Sequence, residues 1–157
     1  HMEEILQRQF FRMFRYNTPC SVIMLDVDHF KHFNDTYGHD MGDHVLEELG
    51  GYLKKNTRGE DLACRYGGEE FIVILVDTDI GAASKKAEKM RSEIAEKIKI
   101  PHLAEKLGVT VSMGVATSPS HGQNGTELIK AADNALYRAK ENGRNRVEVA
   151  EADSESI

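Results

Sequence analysis

Proline is scarce, with three residues in 157, and the 13 glycines follow no repeat, so neither a collagen-like chain nor a flexible linker fits. Cysteine is limited to Cys20 and Cys64, far apart and in neither a thiolate metal pattern nor a CxxC pair. Both have apolar neighbours and read as buried thiols of a reducing, cytoplasmic compartment. Basic residues are in deficit: 20 Lys and Arg face 26 Asp and Glu, a net charge of −6. That balance argues against broad binding to nucleic-acid backbones or anionic membranes and leaves room only for a local basic cluster. No apolar run reaches membrane-spanning length, and no signal-peptide pattern is present. What is present is a 40% hydrophobic complement in a chain of one-domain length, enough for a real core. His1-Met2 reads as an expression scar and 151–157 as a polar tail, which leaves 3–150 as the domain.

Hydrophobic periodicity alternates between helix and strand. Met2 to about Phe14 is amphipathic, and Pro19 marks a break. Val22-Ile23-Met24-Leu25 is an unbroken apolar run, as in a strand covered on both faces. Polar residues 31–40 read as a loop. A helix is predicted over about Asp40 to Lys54 and two strands over 61–66 and 70–76, with Gly67-Gly68 supplying the positive φ of a tight hairpin. Asp79 is an N-cap for a helix carrying Ile80, Ala83, Ala87, Met90 and Ile94. Residues 101–108 read as a connection. Val109, Val111, Met113 and Val115 alternate with small or polar residues, giving a strand with two different faces. Asn124 or Thr126 caps a last helix stopped by Asn142-Gly143, and Arg146 to Val149 forms a final strand. The order contains β-α-β-β-α-β. This is an α+β, ferredoxin-like or palm-like core with a central, mostly antiparallel sheet flanked by helices.

Several residues are suited to chemistry. Asp26 and Asp28 close the buried strand, where i and i+2 share a side and a carboxylate needs a cation or N–H partner. The alternative is that they only cap the strand. Glu69 and Glu70 follow the double glycine and, on a strand, would point to opposite faces. A glutamate beside Asp26 would suit Mg²⁺, a hard ion that prefers oxygen ligands. A solvated hairpin tip is the bland alternative. Backbone N–H groups around His29, Phe30 and Lys31 could form an anion nest. Lys140 and Arg144 could clamp phosphate, or simply stabilise a helix C-terminus. Asn34 and Asp43 flank a loop and carry the acceptors that a guanine edge needs, although both also suit ordinary turn and helix-start positions.

Taken together, Arg65-Tyr66-Gly67-Gly68-Glu69-Glu70-Phe71 resembles the signature of the GGDEF diguanylate cyclases in its GGEEF form. Leu25-Asp26-Val27-Asp28-His29-Phe30-Lys31 is similar to that family's first-strand motif, and Asn34 through Asp43 to its guanine loop. Val111 to Ala116 and Ala132 to Val147 match its later strand and last helix. The resemblance implies condensation of two GTP into cyclic di-GMP and pyrophosphate by attack of a 3′-hydroxyl on an α-phosphate in a two-fold homodimer. It implies that Asp26, the Val27 carbonyl and Glu69 hold Mg²⁺, with Mn²⁺ as the alternative ion. Glu70 would assist the metal or the 3′-hydroxyl. His29, Phe30, Lys31, Lys140 and Arg144 would hold phosphates, and Asn34 and Asp43 would select guanine. Arg58-Gly59-Glu60-Asp61 matches the family's inhibitory Arg-x-x-Asp motif, which implies product binding at Arg58 and Asp61. The family's Asp-x-Leu-Thr-Gly-Leu-x-Asn-Arg segment is missing, so the expectation is a catalytic domain without its usual N-terminal segment. Full-length relatives could be tethered to a membrane through other domains, but neither nucleic-acid nor membrane contact is expected of this one. A catalytically inactive, cyclic di-GMP-binding sensor module is the competing reading.

Overall fold

The chain folds around the unbroken apolar run. In the computed structural model, which describes residues 2–102 and 105–152, that run is β1 (Cys20–Val27), buried along all eight residues. It lies at the centre of a five-stranded sheet of order β2-β3-β1-β6-β7. β1 pairs antiparallel with β3 (Glu70–Leu75) and β6 (Val111–Ser118); β2 (Leu62–Arg65) pairs antiparallel with β3. Only β7 (Val147–Val149) runs parallel to its neighbour, β6. Side chains alternate across a strand, so β1 feeds two cores. Ile23, Leu25 and Val27 pack in one with α2 (Phe30–Tyr37), α3 (His39–Lys55) and α4 (Ile80–Lys97). Val22 and Met24 pack in the other with α1 (Met2–Arg15) and α5 (Gly125–Glu141). Asp79 caps α4 by accepting from Ala82 N at 2.9 Å, and Asn124 caps α5 by accepting from Glu127 N at 2.9 Å. The β-α-β-β-α-β core is therefore present, extended by α1, α5 and β7.

Three local expectations are corrected. The polar segment 31–40 is largely helical: α2 buries Phe30 and Phe33, three apart, and a break at Gly38 (φ 94°) separates it from α3. The connection 101–108 contains a two-stranded hairpin, β4 (Lys99–His102) with β5 (Glu105–Gly108), which buries Ile100 and Leu107; its tip at 103–104 lies outside the described residues, as do His1 of the scar and 153–157 of the tail. Gly67 and Gly68 do not adopt positive φ; among the described residues only Gly38 and Gly143 do so among glycines. The hairpin is closed instead by Tyr66 and Gly67 N–H groups donating to the Glu70 carbonyl at 2.7 and 3.1 Å. Arg65 Nε also donates to the carbonyls of Gly67 and Gly68, at 3.2 and 2.9 Å.

The alternation in β6 reflects size rather than exposure, since all eight residues are buried. Val111, Met113 and Val115 face the α2–α4 core. Gly114 lies against α5 so closely that a Cβ there would sit 2.1 Å from the Ala132 carbonyl oxygen and 2.3 Å from Leu136 N. Backbone cannot yield as a flexible side chain can, and overpacking a core typically costs about 1–3 kcal/mol. Gly114→Ala is expected to lose about 3 kcal/mol of unfolding free energy in urea titration. An unchanged midpoint would contradict this packing.

Candidate functional site: an acidic strand end facing an uncapped helix

Register sets the centre of the site. Asp26 is the Cα partner of Glu70 on one side and of Ser112 on the other. Val27 N donates to the Glu69 carbonyl at 3.4 Å, which ties the hairpin tip to the end of β1. Asp26 is buried; its Oδ2 accepts from Lys140 Nζ of α5, while its buried Oδ1 has no hydrogen-bond partner among the described residues. Burial raises the Asp26 carboxyl above its ordinary range, and Lys140 opposes that shift. Glu69 is raised too, by burial and then by Asp26. Glu70 is pushed up to about 7, by burial first and then by the charges of Asp133 and Asp26. Glu70 opens β3, whereas Glu69 precedes the strand at the hairpin tip. Both carboxyls lie in the field of Asp26 and Lys140. Asp133 was not among the sequence candidates; its place seven residues before Lys140, on the same face of α5, was the available signal.

Among the described residues, no three His, Cys, Asp or Glu side chains form a ready-made metal cage. The donor set nevertheless fits a hard divalent ion. Asp26 has an orphaned buried oxygen, Glu69 and Glu70 are each destabilised as anions by burial and by Asp26, and Mg²⁺ commonly takes one or two carboxylates plus water and phosphate.

Asp28 is differently placed. Its Oδ2 accepts from Thr110 Oγ1 at 2.6 Å and from Asn145 N at 3.0 Å, and its Oδ1 accepts from Ser112 Oγ at 2.6 Å. A carboxylate so fully engaged is a brace. Beside it, His29 stands at φ 55° as the N-cap of α2 and supplies no side-chain cap. The first N–H groups of a helix have no intrahelical acceptors, so Phe30 and Lys31 open the chain toward anions. Arg144 is exposed, at φ 65°, with its N–H donating to the Ala139 carbonyl at 2.9 Å.

Asn34 lies within α2 and Asp43 within α3, on either side of the break at Gly38. They are nonetheless neighbours: the buried Asn34 Oδ1, without a hydrogen-bond partner among the described residues, occupies the space that a Cβ on Gly42 would need, at 1.7 Å. Asp43 is exposed and opens onto a cavity of about 630 Å³ between α3 and the β2–β3 hairpin, lined also by Leu46, Glu47, Cys64, Arg65 and Phe71. Cys64 is therefore half-buried at this cavity, unlike the fully buried Cys20.

Arg58 and Asp61 form a compact turn away from these residues. The buried Asp61 carboxylate accepts from Arg58 N, Nε and Nη2 and from Val76 N, at 3.0–3.3 Å. Arg58 keeps 51% of its side chain exposed.

A mostly antiparallel sheet with clustered carboxyls at the end of its central strand, beside an uncapped helix, places the chain among palm-like α+β domains. The chain belongs to the GGDEF family: residues 1–146 match the domain described as "Diguanylate cyclase, GGDEF domain". It is 47% identical over 127 residues to diguanylate cyclase A of Treponema denticola, covering 81% of this chain and 34% of that protein. It is 45% identical over 130 residues to the response regulator PleD of Caulobacter vibrioides, covering 82% and 29%. The chain thus spans about a third of these relatives. Among solved structures it resembles the GGDEF domain of DgcB from Caulobacter crescentus, solved in complex with c-di-GMP (TM-score 0.87, 34% identity, covering 96% of this chain and 86% of that one). It also resembles the active GGEEF domain of a diguanylate cyclase from Vibrio cholerae (TM-score 0.84, 33% identity, covering 94% and 93%). Among the described residues no helix is long and apolar enough to cross a membrane.

The Glu70 environment has a consequence for stability. A carboxyl whose folded-state pKa lies above its unfolded value penalises the folded state when ionised. The penalty is absent at low pH, grows as pH rises above about 4.5, and levels off above about 7. In metal-free protein, Glu70→Gln is expected to be more stable than the parent at about pH 8, with the gap closing by about pH 5. A gap in melting temperature that does not vary with pH would contradict this assignment.

Proposed function

We propose that this domain, residues 3–150, is a diguanylate cyclase that joins two GTP into cyclic di-GMP with release of two pyrophosphates. The observation that carries the reading is the meeting of Asp26, Glu69 and Glu70 at one strand end, with Lys140 and the open start of α2 beside them. Asp26, the Val27 carbonyl and Glu69 would hold Mg²⁺ or Mn²⁺. Such an ion supplies charge neutralisation at the α-phosphate and makes an adjacent hydroxyl easier to deprotonate.

The chain's own groups account for the remaining roles. Phe30 and Lys31 N–H groups, next to His29, receive phosphate oxygens as a helix N-terminus does. Lys140, which bonds Asp26 here, would be available to phosphate together with Arg144 where Asp26 served a cation instead. Asp43 and Asn34 accept from the guanine N1–H and N2 amino group, donors that adenine lacks together. Glu70, held near neutral pKa by its surroundings, can take the proton as the 3′-oxygen bonds to the α-phosphorus and the bond to the pyrophosphate oxygen breaks. One GTP per subunit supplies one nucleophile and one electrophile, so two copies must meet face to face for both bonds to form. Product binding at the exposed Arg58, whose guanidinium can fork onto guanine O6 and N7, would supply feedback. Asp61, already engaged by Arg58 and Val76, holds that turn together.

Incubation with GTP and Mg²⁺ followed by chromatography should yield cyclic di-GMP, and specific activity should rise with protein concentration below saturation. Asp26→Asn and Glu69→Gln should each lower turnover by about 100-fold or more. Binding of cyclic di-GMP without turnover would favour the inactive sensor instead. Turnover unaffected by Glu69→Gln would remove the metal assignment. Separately, Arg58→Ala should weaken inhibition by added cyclic di-GMP; unchanged inhibition would remove the product site from this turn.

A further inference from the structure

Arg144 and Asn145 are consecutive non-glycine residues at positive φ, 65° and 47°, a conformation that persists only when its surroundings hold it. Four contacts do so. Asn145 N donates to Asp28 Oδ2 at 3.0 Å, and Arg144 N donates to the Ala139 carbonyl at 2.9 Å. Arg146 Nε donates to the Arg144 carbonyl at 3.2 Å. The fourth contact comes from another layer: Arg91 Nη1 of α4 donates to Asn145 Oδ1 at 2.6 Å. Arg91 is itself fixed by a fork onto Glu88, Nε to Oε2 at 3.0 Å and Nη2 to Oε1 at 2.6 Å, and its side chain is only 19% exposed. Glu88, Arg91, Asn145 and Asp28 therefore form one hydrogen-bonded chain from the outer face of α4 to the end of β1. Asp28 is anchored in turn to Thr110 and Ser112.

We infer that Arg91 and Asn145, backed by Glu88 and Asp28, are positioning residues that hold the backbone presenting Arg144 in its phosphate-binding conformation. This rests on the reading of Arg144 as a phosphate contact. Arg91 reaches no part of the acidic centre, so its effect passes through Arg144. A flat, forked guanidinium bonding Glu88 and Asn145 at once cannot be replaced by lysine, a single point donor. The chain also gives Asp28, beside Asp26 in the strand-end motif, a bracing role through hydrogen bonds to both of its oxygens.

The test is a binding cycle with a nonreacting probe, guanosine 5′-(α,β-methylene)triphosphate, in Mg²⁺ buffer, with guanosine as the control ligand. Arg144→Met should weaken the triphosphate roughly 10-fold or more and leave guanosine binding unchanged. Arg91→Met should give a loss of similar kind, roughly 5- to 10-fold, again confined to the triphosphate. Asn145→Asp, which keeps an acceptor and tolerates positive φ, should bind near the parent level, whereas Asn145→Ala should behave as Arg91→Met. The double variant Arg91→Met/Arg144→Met should be no weaker than Arg144→Met alone. A double variant that loses the product of the two single effects would overturn the inference, as would an Arg91→Met protein that binds like the parent. If Arg144→Met itself binds the triphosphate normally, the phosphate role of Arg144 fails and the inference with it. That outcome is distinct from a failure of Arg91 alone.

Discussion

The pairing of β1 with β3 places Asp26 directly beside Glu70, and the rest of the site follows from that register. A slip of one residue would send the acidic side chain to the opposite face and bury it among the aliphatic residues of the α2–α4 core. Register is held by unbroken apolar matching below the acids, with Ile23 opposite Val73 and Met24 opposite Ile72. The hydrophobic centre of the sheet thus fixes where its charged end falls.

That end is electrostatically unfavourable without a cation. Asp26, Glu69 and Glu70 all sit above their ordinary carboxyl range, chiefly through burial and then through neighbouring carboxylates: Asp28 for Asp26, Asp26 for Glu69, and Asp133 with Asp26 for Glu70. Lys140 relieves part of this by bonding Asp26, but among the described residues the other Asp26 oxygen has no partner. A fold that keeps such a cluster forgoes stability that ordinary core residues would supply, a pattern concentrated at functional sites. The start of α2, without a side-chain cap from His29, adds the complementary feature: N–H groups with no intrahelical acceptors, next to the raised carboxyls.

Much of the fold could be read from the residues. The apolar run of β1, the caps Asp79 and Asn124, and the stop at Asn142-Gly143 carry local signals that packing did not override. α2 escaped because it is eight residues long with only Phe30 and Phe33 buried, too short a stretch to display a period. The β4–β5 hairpin escaped because its short strands contain Pro101 and several charges. The acidic centre was legible as motif residues, whereas their allocation was not. Asp28 looks equivalent to Asp26 in sequence, yet its partners lie 82 to 117 residues away and engage it fully. Asp133 and Arg91 escaped for the same reason: their roles come from contacts between elements, which no local pattern encodes.

The central claim is that the hairpin tip and the end of β1 together bind one divalent ion against a nucleotide. Crystals grown with Mn²⁺ and the α,β-methylene analogue of GTP, measured at the manganese absorption edge, test it directly. The account predicts an anomalous peak coordinated by Asp26, Glu69 and the Val27 carbonyl, with Lys140 drawn off Asp26 toward phosphate. A peak elsewhere, or a nucleotide bound with Lys140 still on Asp26 and no ion between the carboxylates, would contradict it.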